Sequence, residues 1–300
     1  MLTERDDLRH PLSGPFARES LFHNAVLPEE GLFVFFYTWV DAADRAGGLF
    51  AVYDEHDKPL VFDVVDGLPA DGRDFDDWAA GRMTVRHTAG LQTAEVAYCG
   101  EEASLSMTFE ALHRAFPYSE NVGGCPPSLA QDRFEQSGRV AGTLTVGPRT
   151  VPFVTTAHRD HSWGTRDWNS FHHWKWCSGQ AGPDLTYNAL QFLAEGRQWI
   201  CGYVNRAGSV TPVVAIDTNV TYDDDFTHRR ATIDLTDSSG QTLRIEAERF
   251  SFLRFDPNDH MAMHEVACRT TVDGRPGLLQ FEMGWPKAYI DHQVAARHPA

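Results

Sequence analysis

Cysteine is sparse and scattered. The five residues Cys99, Cys125, Cys177, Cys201 and Cys268 form no CxxC pair, and their odd number in a 300-residue chain excludes a disulfide framework as the basis of the fold. The composition reads as a cytoplasmic protein with reduced thiols. No block of Lys or Arg occurs, and the formal net charge is -16. Nucleic acid and anionic membrane surfaces both need a positive face, so neither is an expected partner. Long apolar runs are missing too. The longest spans residues 31–40 and falls short of the roughly 20 residues a bilayer-spanning helix needs. The opening MLTERDDLRHPLSGPF is charged and lacks an apolar h-region, so no signal peptide is expected. There is no G-x-S-x-G around a serine. Gly123-Gly124 runs into Cys-Pro-Pro, so no helix begins there to cradle a phosphate.

What the chain does contain is strand pattern. Apolar or alternating segments occur at residues 31–40, 49–53, 60–65, 83–87, 92–98 and 104–109, separated by Gly, Pro and Asp turns. Residues 112–129 carry Pro117, Gly123, Gly124, Pro126 and Pro127 and read as a long irregular connection, with a short helix over 128–133. Strands resume at 134–146 and 151–156. The second half repeats the texture at 185–193, 198–204, 210–222, 230–236, 242–252, 261–272 and 278–283. Only the tail, 285–298, looks partly helical. Many short strands at regular spacing predict an all-β protein of barrels or sandwiches. A division near 150 gives two β domains, 1–150 and 151–300, each the size of a small barrel.

Residues 158–176 concentrate the chemistry. They hold four histidines (His158, His161, His172, His173) and four tryptophans (Trp163, Trp168, Trp174, Trp176). Read as a strand, 171–177 places His172, Trp174 and Trp176 on one face, a wall suited to an unsaturated ligand inside a barrel. Tyr187 sits on a strand that can face the same space. Asp160 and Asp167 flank a bend at Gly164, beside Arg159 and Arg166. A carboxyl pressed on indole faces is desolvated and its pKa rises, whereas one bonded to Arg stays ionised. A raised Asp can donate a proton at neutral pH, and tryptophan faces stabilise a cation. The histidines open a second possibility. His158-Arg-Asp160 has the His-x-Asp spacing of a non-haem iron site, with His228, His260 or His264 as a further ligand.

The segment His158-Arg-Asp-His-Ser-Trp-Gly-Thr-Arg-Asp-Trp168, with Arg133-Phe-Glu-Gln-Ser-Gly-Arg-Val-Ala-Gly142 upstream and the aromatic run before Gly47-Gly48, resembles the carotenoid 1,2-hydratase (hydroxyneurosporene synthase) and AttH-like superfamily. Its actinobacterial and proteobacterial branch is the nearer match, over residues 15–290. The resemblance implies two tandem lipocalin-like β-barrel domains with a ligand cavity at their junction, and neither metal nor organic cofactor. It also implies an aspartate that protonates an isoprenoid double bond, matched here by Asp160. The expectation is a cofactor-independent enzyme acting on a hydrophobic, isoprenoid or polyketide-like alkene. Asp160 is the acid, and His161 orients it or relays its proton. Trp163, Trp168, His172, Trp174, Trp176 and Tyr187 bind substrate; Arg159, Arg166 and Asp167 support the bend. A non-catalytic carrier of a lipophilic molecule is the rival reading, and an iron oxygenase the third.

Overall fold

A computed structural model describes residues 2–297. The strands in chain order are β1 (Ala17–Leu27), β2 (Leu32–Asp41), β3 (Arg45–Tyr53), β4 (Val61–Pro69), β5 (Trp78–Ala80), β6 (Met83–Ala89), β7 (Thr93–Cys99), β8 (Ala103–Ala111), β9 (Phe116–Pro117), β10 (Asp132–Val146) and β11 (Arg149–Thr165). They continue with β12 (Phe171–Gln180), β13 (Leu185–Ala194), β14 (Arg197–Arg206), β15 (Ser209–Tyr222), β16 (His228–Asp237), β17 (Thr242–Phe255), β18 (Met261–Val272) and β19 (Arg275–Pro286). One helix, α1 (Lys287–Arg297), follows. The all-β expectation and the helical tail are both met, although His298 lies outside the described residues.

The first eleven strands form one curled, nearly closed sheet in the order β4-β3-β2-β1-β11-β10-β8-β7-β6-β5, with β9 beside β10. Strands β12 to β19 close into an eight-stranded antiparallel barrel. Two barrels in tandem are therefore present. The boundary expected at 150 needs correction. Strand β11 pairs with both β1 and β10, so residues 149–165 belong to the first sheet, and the chain passes to the second barrel between Thr165 and Phe171. The signal at 151–156 belongs to this 17-residue strand, which also carries the His158–Gly164 part of the histidine-rich segment. Nor does a helix form over 128–133. A turn closes at Ala130, and β10 begins at Asp132 because its alternating residues can ladder with β11.

Each barrel has its own apolar filling. Val34, Phe36, Phe50, Trp78 and Phe109 fill the first; Tyr187, Ile233, Leu235, Ile245 and Phe281 fill the second. A third cluster lies between them. There Phe22, Phe33, Phe35 and Tyr53 from β1–β3 meet Trp174, Trp176, Phe192, Leu253 and Met263 from the second barrel. A strand exposes alternate residues on opposite faces. On β11 this puts Arg159, His161 and Trp163 toward the first barrel's interior and His158 and Asp160 toward the second barrel. Both sides are buried, since His158, Arg159, Asp160 and His161 are all at most 5% exposed.

Candidate active site

A cavity of about 370 Å³ opens in the layer between the barrels. Its walls are aromatic and aliphatic: Phe22, Phe35, Tyr37 and Trp39 from the first sheet; Trp168, Phe171, Trp174 and Trp176 from the crossover and β12; Leu190, Phe192 and Met263 from the second barrel. Polar groups are few: Asp160, Glu282, Arg18, Arg133 and Arg166, with Asp66 and Asp256 among the remaining lining residues. A mostly apolar concavity with a few convergent polar groups is the usual form of a small-molecule site.

Two glycines shape it. Gly164 has φ +104°, and a Cβ there would lie 2.5 Å from Gln131 Cβ. Only glycine turns the chain out of β11 at that point and sends it to the short 3₁₀ turn Trp168–Ser170 on the cavity wall. Gly284, opposite Trp174 across β12 and β19, leaves room for the indole; a Cβ would stand 2.1 Å from the ring.

Asp160 and Glu135 are register partners on β11 and β10. Arg133 bridges them, with Nε donating to Glu135 Oε1 at 2.6 Å and Nη2 to Asp160 Oδ2 at 2.8 Å. Glu135 is fully buried and takes three more donors. They are Tyr118 Oη at 2.8 Å, Trp176 Nε1 at 3.0 Å and His158 Nε2 at 2.6 Å. Burial opposes the Glu135 charge, but Arg133 and the hydrogen bonds from His158 and Trp176 hold its pKa below the ordinary value. His158 is held down by burial, so a neutral imidazole donates to the carboxylate. Asp160 receives only the Arg133 bond among the described residues. Burial dominates there, and with Glu135 and Glu282 nearby it outweighs Arg133 and Arg166; the carboxyl is pushed up to about 7. A cavity-lining acid that keeps its proton near neutrality is the result.

A second carboxyl faces the same space. Glu282 accepts a hydrogen bond from Trp174 Nε1. Behind it, its register partner Glu265 is fully buried. Burial and the neighbouring Glu282 hold Glu265 well above the ordinary range.

The structure sorts the residues singled out from sequence. Asp160, Arg166, Trp168, Trp174 and Trp176 line the cavity. The two β12 tryptophans do so from outside the second barrel rather than within it, because Cys177, Tyr187 and Ala189 already fill the interior. His172 does not join them. A bulge between Phe171 and His173 breaks the alternation, leaves His172 exposed and gives its place on the wall to Phe171. Tyr187 is buried in the second barrel's own core. His161 cannot serve Asp160, since it points to the opposite side of β11 and meets Glu19 Oε1 at 2.7 Å. Trp163, on that same side, stacks on His10 at 3.9 Å between ring centroids. Arg159 pairs with Asp7 at 2.9 Å. Asp167 does not pair with Arg166. It caps the 168–170 turn by accepting from Asn169 N at 3.1 Å, while Arg166 Nη2 donates to Ser162 Oγ at 2.7 Å.

The iron reading fails on geometry. His158 is engaged with Glu135, and no third ligand converges with His158 and Asp160 among the described residues. His228 instead bonds Phe281 O at 2.8 Å. Metal-like spacing occurs at His10, Glu19 and His161. There the Glu19 carboxylate already meets His10 Nδ1, His161 Nε2 and the His10 backbone N–H at 2.7–2.8 Å, so the trio is satisfied by hydrogen bonds.

Sequence reasoning gave no role to Arg133, Glu135, Glu282, Glu265, Arg18 or Tyr37. Arg133 and Glu135 lay inside a phrase noted for its resemblance, and their spacing of two on a strand was the available signal. Nothing in the sequence marks Glu282.

The match to a known sequence family covers residues 3–287. The chain belongs to the family described as "Domain of unknown function (DUF7064)". Comparison with curated proteins gives no sequence match. Among solved structures, this DUF7064 chain is similar in fold to an AttH protein of Nitrosomonas europaea, with TM-score 0.63 and 13% identity over 90% of this chain and 92% of that one. It is similar to kievitone hydratase from Nectria haematococca, with TM-score 0.61 and 10% identity over 89% and 88%. The crystal structure of CghA with Sch210972 matches with TM-score 0.62 and 14% identity over 89% and 88%. The superfamily resemblance read from the motif thus holds at the level of fold.

Proposed function

We propose that the protein is a cofactor-independent enzyme that protonates a carbon–carbon double bond of a hydrophobic small molecule held between the barrels. The observation that carries this reading is Asp160, a buried carboxyl pushed up to about 7, on the wall of a tryptophan-lined cavity. The Asp160 proton adds to one alkene carbon with the π pair, and positive charge develops on the other. The faces of Trp168, Trp174 and Trp176 lie on the same cavity and favour that charge through the ring quadrupole. Water then adds, a neighbouring carbon loses a proton, or an internal double bond closes a ring. The proton released afterwards, from the added water or from carbon, goes to a base on the cavity, and Asp160 is reprotonated from solvent. Glu282, fixed by Trp174, is placed to take the proton from an attacking water. Hydration gains support from the fold shared with kievitone hydratase, but a shared fold hosts many reactions.

The test is turnover in heavy water. Purified protein is incubated with isoprenoid and polyketide extracts of the producing cells in D₂O, and products are read by mass spectrometry. The proposal expects deuterium on carbon with the wild-type chain and none with Asp160→Asn. Extracted molecules that bind and return unlabelled would mark the protein as a carrier instead.

A further inference from the structure

Two arginines of the cavity have no direct ion pair. Arg18 and Arg166 both line it, and neither has a carboxylate within 4.0 Å among the described residues. Comparable arginines in this chain are paired: Arg133 with Glu135 and Asp160, Arg159 with Asp7, Arg249 with Asp223, and Arg254 with Asp57. A guanidinium removed from water without a partner is costly, so its retention calls for an explanation. Arg18 is held in place by aromatic faces, its guanidinium carbon 4.1 Å from the Trp39 ring centroid and 5.3 Å from that of Tyr37. Its Nε is buried with no hydrogen-bond partner among the described residues, and so is the Tyr37 hydroxyl. Arg166 keeps one bond, to Ser162, and lies with its guanidinium carbon 5.8 Å from the Trp168 ring centroid. Burial lowers the Arg18 pKa and the positive charge of Arg166 lowers it further, while Tyr37 and the Asp66 carboxylate on the same cavity partly oppose the fall.

From this geometry we infer that the substrate carries a carboxylate, which Arg18 and Arg166 clamp at the mouth with the Tyr37 hydroxyl as an added donor, while its unsaturated part reaches Asp160 between Trp174 and Trp176. The inference deepens the proposed function and rests on it. The chemistry fits the partners. Guanidinium presents planar forked donors that match a carboxylate, and an anion bound by both arginines would offset their mutual repulsion. The clamp also supplies orientation. A molecule tethered by its acid end can present only the carbons at a fixed distance from that end to the proton donor. Arg18, Tyr37 and Arg166 are then positioning groups, with Asp160 the residue that touches the reacting carbon.

The experiment uses cis-parinaric acid, an unbranched conjugated tetraene acid that fluoresces in apolar sites, and its methyl ester. The two share the tetraene chain; the ester lacks the head-group charge and carries one added methyl. Both are titrated into the full chain and into Arg18→Gln, Arg166→Gln, Asp160→Asn and Val64→Trp, each checked for fold by circular dichroism. The wild type should bind the acid about tenfold to a hundredfold more tightly than the ester, the usual worth of charge-assisted hydrogen bonds. Each arginine variant should lose most of that preference with ester affinity unchanged. Asp160→Asn should keep it, and Val64→Trp, which plugs the mouth, should lose both ligands. Both arginines are partly buried, so either variant carries the test should the other not fold. Equal affinity for acid and ester, or a preference that survives both arginine changes, overturns the clamp and leaves the alkene chemistry standing. Binding of neither probe, or binding that persists in Val64→Trp, removes the cavity as a lipophile site and overturns both readings.

Discussion

Glu135 and Asp160 face each other across β10 and β11, joined through the single guanidinium of Arg133, yet their pKa values are pushed in opposite directions. The cause is the count of donors. Glu135 receives hydrogen bonds from Arg133, His158, Tyr118 and Trp176, and that set stabilises its charge in spite of full burial. Asp160 has the one remaining arm of Arg133 and two carboxylates near it. Two acids whose surroundings push them apart in pKa are the arrangement from which acid and base roles are assigned.

Replacing Asp160 by Asn removes the proton donor and should abolish turnover while keeping the fold. In the wild type the reactive form is the protonated one, so turnover should fall as pH rises through about 7. Stability gives an independent reading. The folded-state value lies above that of the unfolded chain, so between about pH 4 and about 7 the folded protein holds a proton the unfolded chain has released, and stability falls as pH rises across that window. Asn has no such term. The difference in Tm between Asp160→Asn and wild type should move in favour of the variant from pH 5 to pH 8; an unchanged difference would show that Asp160 titrates normally.

Glu135→Gln should act first on the fold. It removes the carboxylate that Arg133 pairs with and weakens four hydrogen bonds in a fully buried site, and breaking one side of a buried ion pair typically costs about 3–5 kcal/mol. Denaturant unfolding measures this. Activity in the surviving folded protein should shift as well. Glu135 is one of the charges that raise Asp160, so the fall in rate with pH should begin at lower pH in the variant. A large stability loss with an unmoved pH profile would mean that Glu135 is structural only.

His172→Ala and Tyr187→Phe should leave the chemistry intact, although sequence patterning placed both residues at the site. His172 is exposed on the β12 bulge, and its loss should cost within about 0.5 kcal/mol and leave kcat and KM unchanged. Tyr187 lies in the second barrel, with its hydroxyl buried and free of a partner among the described residues, so losing that oxygen should not destabilise the fold. A drop in kcat for either variant would mean the cavity described is not the reactive one.

These contrasts show what the sequence could and could not convey. Strand alternation, turn residues and composition made the all-β tandem architecture legible, and Asp160, Trp168, Trp174 and Trp176, clustered in sequence, do line one cavity. Three things escaped. A one-residue bulge reverses faces, and nothing local announces it, so His172 was exchanged for Phe171. Strand β11 continues past 156 because β1 supplies its second edge, and β1 was not recognised; a long-range pairing of this kind cannot be read from a local pattern. Charged groups brought together by register across strands, such as Glu135 with Asp160 or Glu265 with Glu282, are far apart in the chain.

His161 marks the difference between motif and mechanism. It neighbours Asp160 in sequence and turns away from it in space, where its Nε2 and His10 Nδ1 share Glu19 Oε1. The carboxylate of Glu19 is fully buried, and burial alone would raise its pKa; the bonds from His10 and His161 bring it below the ordinary value. His161→Leu should therefore leave a buried carboxylate short of one donor and cost about 1–3 kcal/mol by denaturant titration. The stability supplied by the lowered Glu19 is present above the unfolded carboxylate pKa and lost as pH falls through the folded one, so the gap between wild type and variant should narrow toward acid pH. The dependence of turnover on pH near 7 should not move, because Asp160 lies on the other face of β11. Adding EDTA or zinc should leave the wild-type Tm unchanged if hydrogen bonds alone hold the trio; a zinc-dependent rise that vanishes in His161→Leu would show that His10, Glu19 and His161 bind metal.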